Sequence, residues 1–257
     1  MNPRPVALWA ALLPFLAVHL TYLVAASHQL VDWCFPYIDS CTSISATGRQ
    51  PPASYLFRAT MLPAAVIFVA YWWLNRAWLR AVAPAVRGRA LDWMLWLGVL
   101  ACCGLVAYTV VLGEAGERWQ RQRRVGIVLY FSLSFLAQLL FAGQLRARAA
   151  LIEAAGPYAR VMLGNCAVLL CLGLATVIWQ LVDDHGYDAV EHAFEWVLAL
   201  LLQVNYLLGY LLWRRADWRL SVVPGAGFTG SGDGADNSRC HSPKAGPQAA
   251  GDSRSRL

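Results

Sequence analysis

The chain has 257 residues, 58% of them hydrophobic and 14% charged, with 21 Lys and Arg against 15 Asp and Glu for a formal net charge of +6. A soluble domain carries about 25% charged residues, and the apolar residues here come in blocks of span length, which excludes a soluble globular fold. The arginines lie singly or in pairs between those blocks, as orientation signals do in membrane proteins, so the positive charge is not a nucleic-acid signature.

A bilayer core takes about 20 apolar residues per helix, and six such blocks predict an all-α, polytopic six-transmembrane bundle with an ordered first exoplasmic loop. The first span is expected over about 6–26, with Pro14 and His19 inside it. Arg4 before it and Ala25-Ala26-Ser27 after it resemble a secretory leader, but the apolar run exceeds the ~7–15 residues of a leader's core. It is therefore read as a retained span. His19 is expected to be a hydrogen-bonded interior histidine.

The loop that follows, to about Arg58, is polar and rich in turn residues, and it is too long to be only a connector. It holds His28, Asp32 and the pair Cys34 and Cys41, for which a disulfide and two free thiols stand equally open. Ser43, Ser45 and Thr47 are hydroxyls beside turn residues, expected to bond their own backbone rather than to act as nucleophiles. The second span covers about 59–79, with Trp72, Trp73 and Trp78 towards its far end. The third covers about 91–112, and Arg118, Arg121, Arg123 and Arg124 fall in the loop before the fourth, about 125–141.

The fifth span covers about 161–182, and a short acidic and histidine-rich loop leads to the sixth, about 193–213. Residues 1–222 thus form the membrane domain, and the Gly-, Ser-, Asp- and Pro-rich stretch 223–257 reads as a disordered cytoplasmic tail. With the N-terminus inside, eleven arginines (4, 76, 80, 87, 89, 146, 148, 160, 214, 215, 219) face six (49, 58, 118, 121, 123, 124). That count places both termini in the cytoplasm. The arginine-rich, lysine-poor composition suits a bacterial inner membrane; otherwise a plasma membrane or endomembrane is expected.

This topology gathers acids and histidines at the exoplasmic end. Asp184, Asp188, His192 and Glu195 recur at helical spacings and share one face if the last helix starts early enough. His28, Asp184, His185 and His192 are the candidate ligands for a divalent metal such as zinc, although no dense ligand motif is present and no cofactor is otherwise implied. Solvation and helix capping is the alternative for Asp183, Asp184 and Asp188. Glu195 lies within a span, where a charge costs about 3 kcal/mol on the lenient scale, so it is expected to pair, with His192, His185, Arg49 or Arg58 as partners. Gln180, Gln203 and Asn205 are expected to bond between helices, the last two on different faces.

Ile44-Ser45, Gly48, Pro51 or Pro52, and Phe57 in the first loop resemble the loop core of the FRAG/DRAM/SFK membrane family, also described as the CWH-like N-terminal domain. Glu195-Trp196 matches a Glu-Trp pair that such proteins carry at the start of the sixth span. The resemblance implies six spans and a role with lipids of the exoplasmic or luminal leaflet, as in lipid-remodelling factors of GPI anchors, autophagy modulators and regulators of phospholipid organisation. Two functions follow. The first is a non-catalytic protein that binds or organises membrane lipids, its loop held over the bundle by Glu195 and a basic residue such as Arg58. The second is a lipid-modifying hydrolase or acyltransferase with His185, His192 and Glu195 as catalytic groups. Membrane lipids are the expected partners, nucleic acid is not, and no protein partner is implied.

Overall fold

The computed structural model describes residues 2–83 and 88–219; Arg87 of the orientation count and the tail expected at 223–257 lie outside them. The described residues form helices α1 (Arg4–Ser27), α2 (Pro36–Asp39), α3 (Ile44–Thr47), α4 (Ala53–Val82), α5 (Arg89–Val110), α6 (Glu117–Ala147), α7 (Ala155–Val182), α8 (Asp184–Asp188) and α9 (Glu191–Arg215). Six of them, α1, α4, α5, α6, α7 and α9, are long and apolar enough to cross a membrane. They run beyond the expected spans because an apolar run marks only the hydrocarbon core, and a helix continues into the headgroup region. The largest extension is in α6, which starts at Glu117. Arg118, Arg121, Arg123 and Arg124 therefore occupy helical turns and not a loop.

Helix α1 packs on α4 and α9, α4 on α5, α5 on α6, α6 on α7 and α7 on α9, which closes a ring. Lipid gives no hydrophobic drive between helices, so close backbone approach and polar bonds carry the association. Helix α1 buries Ala7, Ala10, Ala11, Ala17, Ala25 and Ala26. Where α5 meets α6, a Cβ on Gly104 would lie 2.9 Å from the Gly126 carbonyl oxygen, and one on Gly126 would lie 2.8 Å from that of Gly104. An aromatic cluster of Phe68, Tyr71, Trp72, Phe141, Tyr206 and Trp213 fills the bundle where α4, α6 and α9 converge.

Several interior amide side chains are matched across helices. Pro14 lacks the N–H that would bond Ala10 O one turn earlier. With its amide oriented by the surrounding donors and acceptors, Gln203 of α9 donates to Ala10 O at 3.2 Å and Ala11 O at 3.3 Å. Two residues on, Asn205 faces the other way and donates to Gln138 Oε1 (2.9 Å), while Gln138 donates to Leu202 O (3.0 Å) and Asn165 to Leu201 O (2.8 Å). The expectation that Gln203 and Asn205 serve different faces holds. Gln180 is exposed and makes no hydrogen bond among the described residues. At the end opposite the first loop, Arg76 and Arg80 of α4 clasp Asp92 in the first turn of α5, at 2.6 and 2.8 Å.

A Cβ at Gly98 would overlap the indole of Trp72. Gly98→Ala is expected to cost about 1–3 kcal/mol by overpacking, read as a lowered melting temperature of the detergent-solubilised protein. Gly143→Ala, where a Cβ meets nothing within 4 Å, should leave it unchanged or raise it.

Candidate functional site

The first loop is folded. Gln29 turns the chain at the end of α1 with φ +60°, and Ser40 does so after α2 with φ +52°. A disulfide joins Cys34 to Cys41 across α2, so the pair left open by the sequence is bridged. Tyr22 of α1 holds this segment at both backbone groups of Cys34, donating to its O and accepting from its N, each at 2.8 Å. The turn α3 is capped locally: Ser43 Oγ accepts from Ala46 N at 3.0 Å and Thr47 Oγ1 donates to Ile44 O at 2.7 Å. These are the self-bonded hydroxyls expected of Ser43 and Thr47. Ser45 Oγ instead lies 3.1 Å from Ser43 Oγ and 3.4 Å from an Arg49 nitrogen.

The loop motif now has a physical account. Ile44 and Phe57 are buried. Gly48 sits where a Cβ would come within 2.8 Å of Leu112 and 2.9 Å of Phe57, so only hydrogen fits. Pro51 and Pro52, joined by a cis peptide, lead into α4.

The first loop and the start of α9 complete each other's hydrogen bonding. The four leading N–H groups of a helix have no intrahelical partner. In α9, Ala193 N donates to Ser40 Oγ at 3.3 Å, a cap supplied by the loop. The Glu195 carboxylate lies beside the backbone N–H groups of Ser45 and Ile44 at the start of α3. Trp196 Nε1 donates to Thr42 O at 2.9 Å, and its buried ring lies 5.5 Å from Tyr37, 5.5 Å from His19 and 6.1 Å from Tyr22. Trp196, with Glu195 beside the α3 amides and Ala193 bonded to Ser40, therefore clamps the loop on the bundle.

Arg49 stands near enough to act on Glu195 electrostatically. Arg58, the other expected partner, goes elsewhere. It donates to Leu112 O at the C-terminal end of α5, where a cation suits the helix dipole. Arg123 joins it there, donating to Glu114 O at 2.6 Å.

His19 donates from Nδ1 to Phe15 O at 2.7 Å, because a carbonyl only accepts, which leaves Nε2 to accept from the Tyr37 hydroxyl at 3.0 Å. Burial raises the Tyr37 pKa and so keeps that hydroxyl a donor. His19, Tyr37, Glu195, Trp196 and Gln203 line a cavity of about 60 Å³, whose other walls are mostly apolar. Tyr108 also lines it, and its buried hydroxyl has no hydrogen-bond partner among the described residues. A second, almost wholly apolar groove of about 520 Å³ runs down the outside of α1 and α9 beneath α2, and shares Phe15, His19, Tyr37, Trp196 and Leu200 with the cavity. Above it, Trp33, Phe35 and Ile38 are largely exposed.

The residues considered for catalysis or metal binding are not assembled in this way. A turn at Ala189 and Val190 separates α8 from α9, so Asp184 and Asp188 do not continue the face of His192 and Glu195. Asp183 caps α8 by accepting from Gly186 N at 2.9 Å, while Asp184 and His185 are exposed. His28 turns back to Val24 O at 2.9 Å. His192 is half-buried, with no partner for Nδ1 among the described residues. Among the described residues no three His, Cys, Asp or Glu side chains are grouped to hold a metal ion. Tyr22, Tyr37, Ser40 and Thr42 were not singled out from the sequence, because their partners lie 12 to 154 residues away and no local pattern marks them.

Six spanning helices under a folded loop define a multi-pass α-helical membrane protein. Residues 4–211 match the family model described as the Frag1/DRAM/Sfk1/Cwh43P N-terminal domain. The chain belongs to that family. No curated protein and no solved structure matched the chain significantly.

Loss of the carboxylate beside the α3 amides costs about 1–3 kcal/mol for each amide that it leaves buried and unsatisfied. Glu195→Ala is expected to speed amide hydrogen exchange across residues 43–47, and Glu195→Gln, which keeps a carbonyl oxygen, to do so less. Glu191→Ala, at an exposed neighbour, should leave exchange there unchanged.

Proposed function

We propose that this protein binds and organises a lipid of the leaflet at its first-loop end, without catalysing a reaction on it. The observation that carries the reading is the lateral apolar groove between α1 and α9, which is roofed by α2 and shares five lining residues with the inner cavity. Ligand sites usually measure about 300–1,000 Å³. The groove, at about 520 Å³, lies in that range, and the cavity, at about 60 Å³, does not. The lipid body therefore occupies the groove, and only a small group reaches towards Glu195 and His19. Exposed Trp33, Phe35 and Ile38 at the rim suit a loop that sits in the membrane interface. The nearness of Glu195 to the loop amides suits an anchoring role for that carboxylate.

Both termini are assigned to the cytoplasm, which turns the groove to the exoplasmic leaflet. The arginine count supports this. So does the Cys34–Cys41 disulfide, since such bonds persist in oxidising compartments.

A phospholipid carrying a photoreactive group on its upper acyl chain is expected to label segments 15–37 and 196–200 in preference to the lipid-exposed face of α7 around Val177, Ile178 and Leu181. Leu200→Trp, which fills the groove, should lower that labelling several-fold. Uniform labelling around the bundle, unchanged by Leu200→Trp, would refute the reading.

A further inference from the structure

A second groove lies between α5 and α6 at the first-loop end, remote in sequence from the α1–α9 groove. Its volume is about 520 Å³, and its walls include Ala107 of α5 and Arg118, Arg121, Val125 and Leu129 of α6. The α6 residues recur at intervals of three or four and so lie on one helical face. The notch exists because Ala107 and Gly126 carry almost no side chain where the two backbones come together; the Gly104–Gly126 contact holds them there. Gln122 closes one polar group of the floor by donating to Ala107 O at 3.2 Å.

Charge is graded along this face. Arg118 and Arg121 are exposed at the top and make no ion pair among the described residues, and Arg118 rests 5.1 Å over the ring of Trp119. Glu117 also stands at the mouth, so the lining carries two guanidinium groups against one carboxylate, a net single positive charge. Arg123 is withheld, because it is bonded to carbonyls at the end of α5. Below the arginines, Val125 and Leu129 are exposed, and the distance from Arg118 to Leu129 along the axis is roughly 16 Å. A cationic top above an apolar trough is the complement of a phospholipid, with phosphate on the guanidinium pair and acyl chain against Val125 and Leu129. Arginine suits that phosphate because its planar fork meets two oxygens at once. The net positive lining favours an anionic headgroup over a zwitterionic one.

We infer that the α5–α6 groove is a binding site for an anionic phospholipid of the leaflet at the first-loop end, held by Arg118 and Arg121 and seated on Ala107, Val125 and Leu129. This site is independent of the lipid site proposed between α1 and α9. It also accounts for four arginines at the end of the bundle where the charge count expects few: Arg123 caps α5 and Arg118 and Arg121 meet lipid phosphate, which leaves only Arg124 without an assigned contact.

The test uses the full chain in phosphatidylcholine vesicles that contain spin-labelled phosphatidylglycerol or spin-labelled phosphatidylcholine, and reads the motionally restricted fraction of each label. The wild type is expected to prefer phosphatidylglycerol. Arg118→Gln and Arg121→Gln should each reduce that preference roughly fivefold, and Arg124→Gln, on the same turns but outside the lining, much less. Ala107→Leu, which fills the floor and keeps every charge, should also reduce it. A wild type without preference overturns the inference. So does a loss from Arg124→Gln as large as that from the groove arginines, which would mark diffuse surface charge, or full preference in Ala107→Leu. If that variant does not fold, the exposed arginine variants decide the matter. Because the α1–α9 groove is untouched by these changes, labelling there distinguishes failure of this site from failure of the other.

Discussion

A short helix and the first turn of a long one both present N–H groups without intrahelical partners, and at the edge of a bilayer such groups must be met by the protein. The first loop and α9 solve this for each other. Ser40 meets the amide of Ala193 and Trp196 meets the carbonyl of Thr42, while Glu195 stands beside the amides of Ile44 and Ser45. The exchange joins segments about 150 residues apart. The position of α2, the roof of the α1–α9 groove and the wall of the inner cavity all follow from it. Without the clamp, α2 and the Cys34–Cys41 segment would keep the Tyr22 and Tyr37 hydrogen bonds as ties to the bundle.

The same rule governs the interior. Pro14 removes a donor from α1, and the carbonyl it frees is answered by Gln203 from another helix. Gln138, Asn165 and Asn205 tie α6, α7 and α9 in the same way. Alanine and glycine faces let the backbones come close enough for these bonds. Where the close contact ends, as above Gly104 and Gly126, a lateral notch remains. Both grooves thus arise at the margins of tight packing, on the outside of the helix ring.

The α8–α9 break shows why spacing misled. Asp184, Asp188, His192 and Glu195 recur as one helical face would, yet the chain turns at Ala189 and Val190, and a turn resets the helical phase. Spacing within a helix is legible; whether the helix is continuous depends on what its first turn packs against, and here that is the folded loop. Arg58 was a fair partner for Glu195 on charge alone. The orphan carbonyl of Leu112 lay closer, and neither sequence distance nor charge reveals that.

The sequence by itself determined the six spans, through the length and hydrophobicity that a bilayer demands, and marked Glu195 as a buried charge in need of partners. It also isolated Ile44, Gly48, Phe57 and Trp196 as a motif, though without a reason for it. Tertiary structure alone decided what those partners are, because hydrogen bonds between the first loop and the last helix depend on how the ring of helices closes. Only after closure do the amides of α3 meet Glu195, the glycine at position 48 meet Leu112 and Phe57, and two lateral grooves open between neighbouring spans.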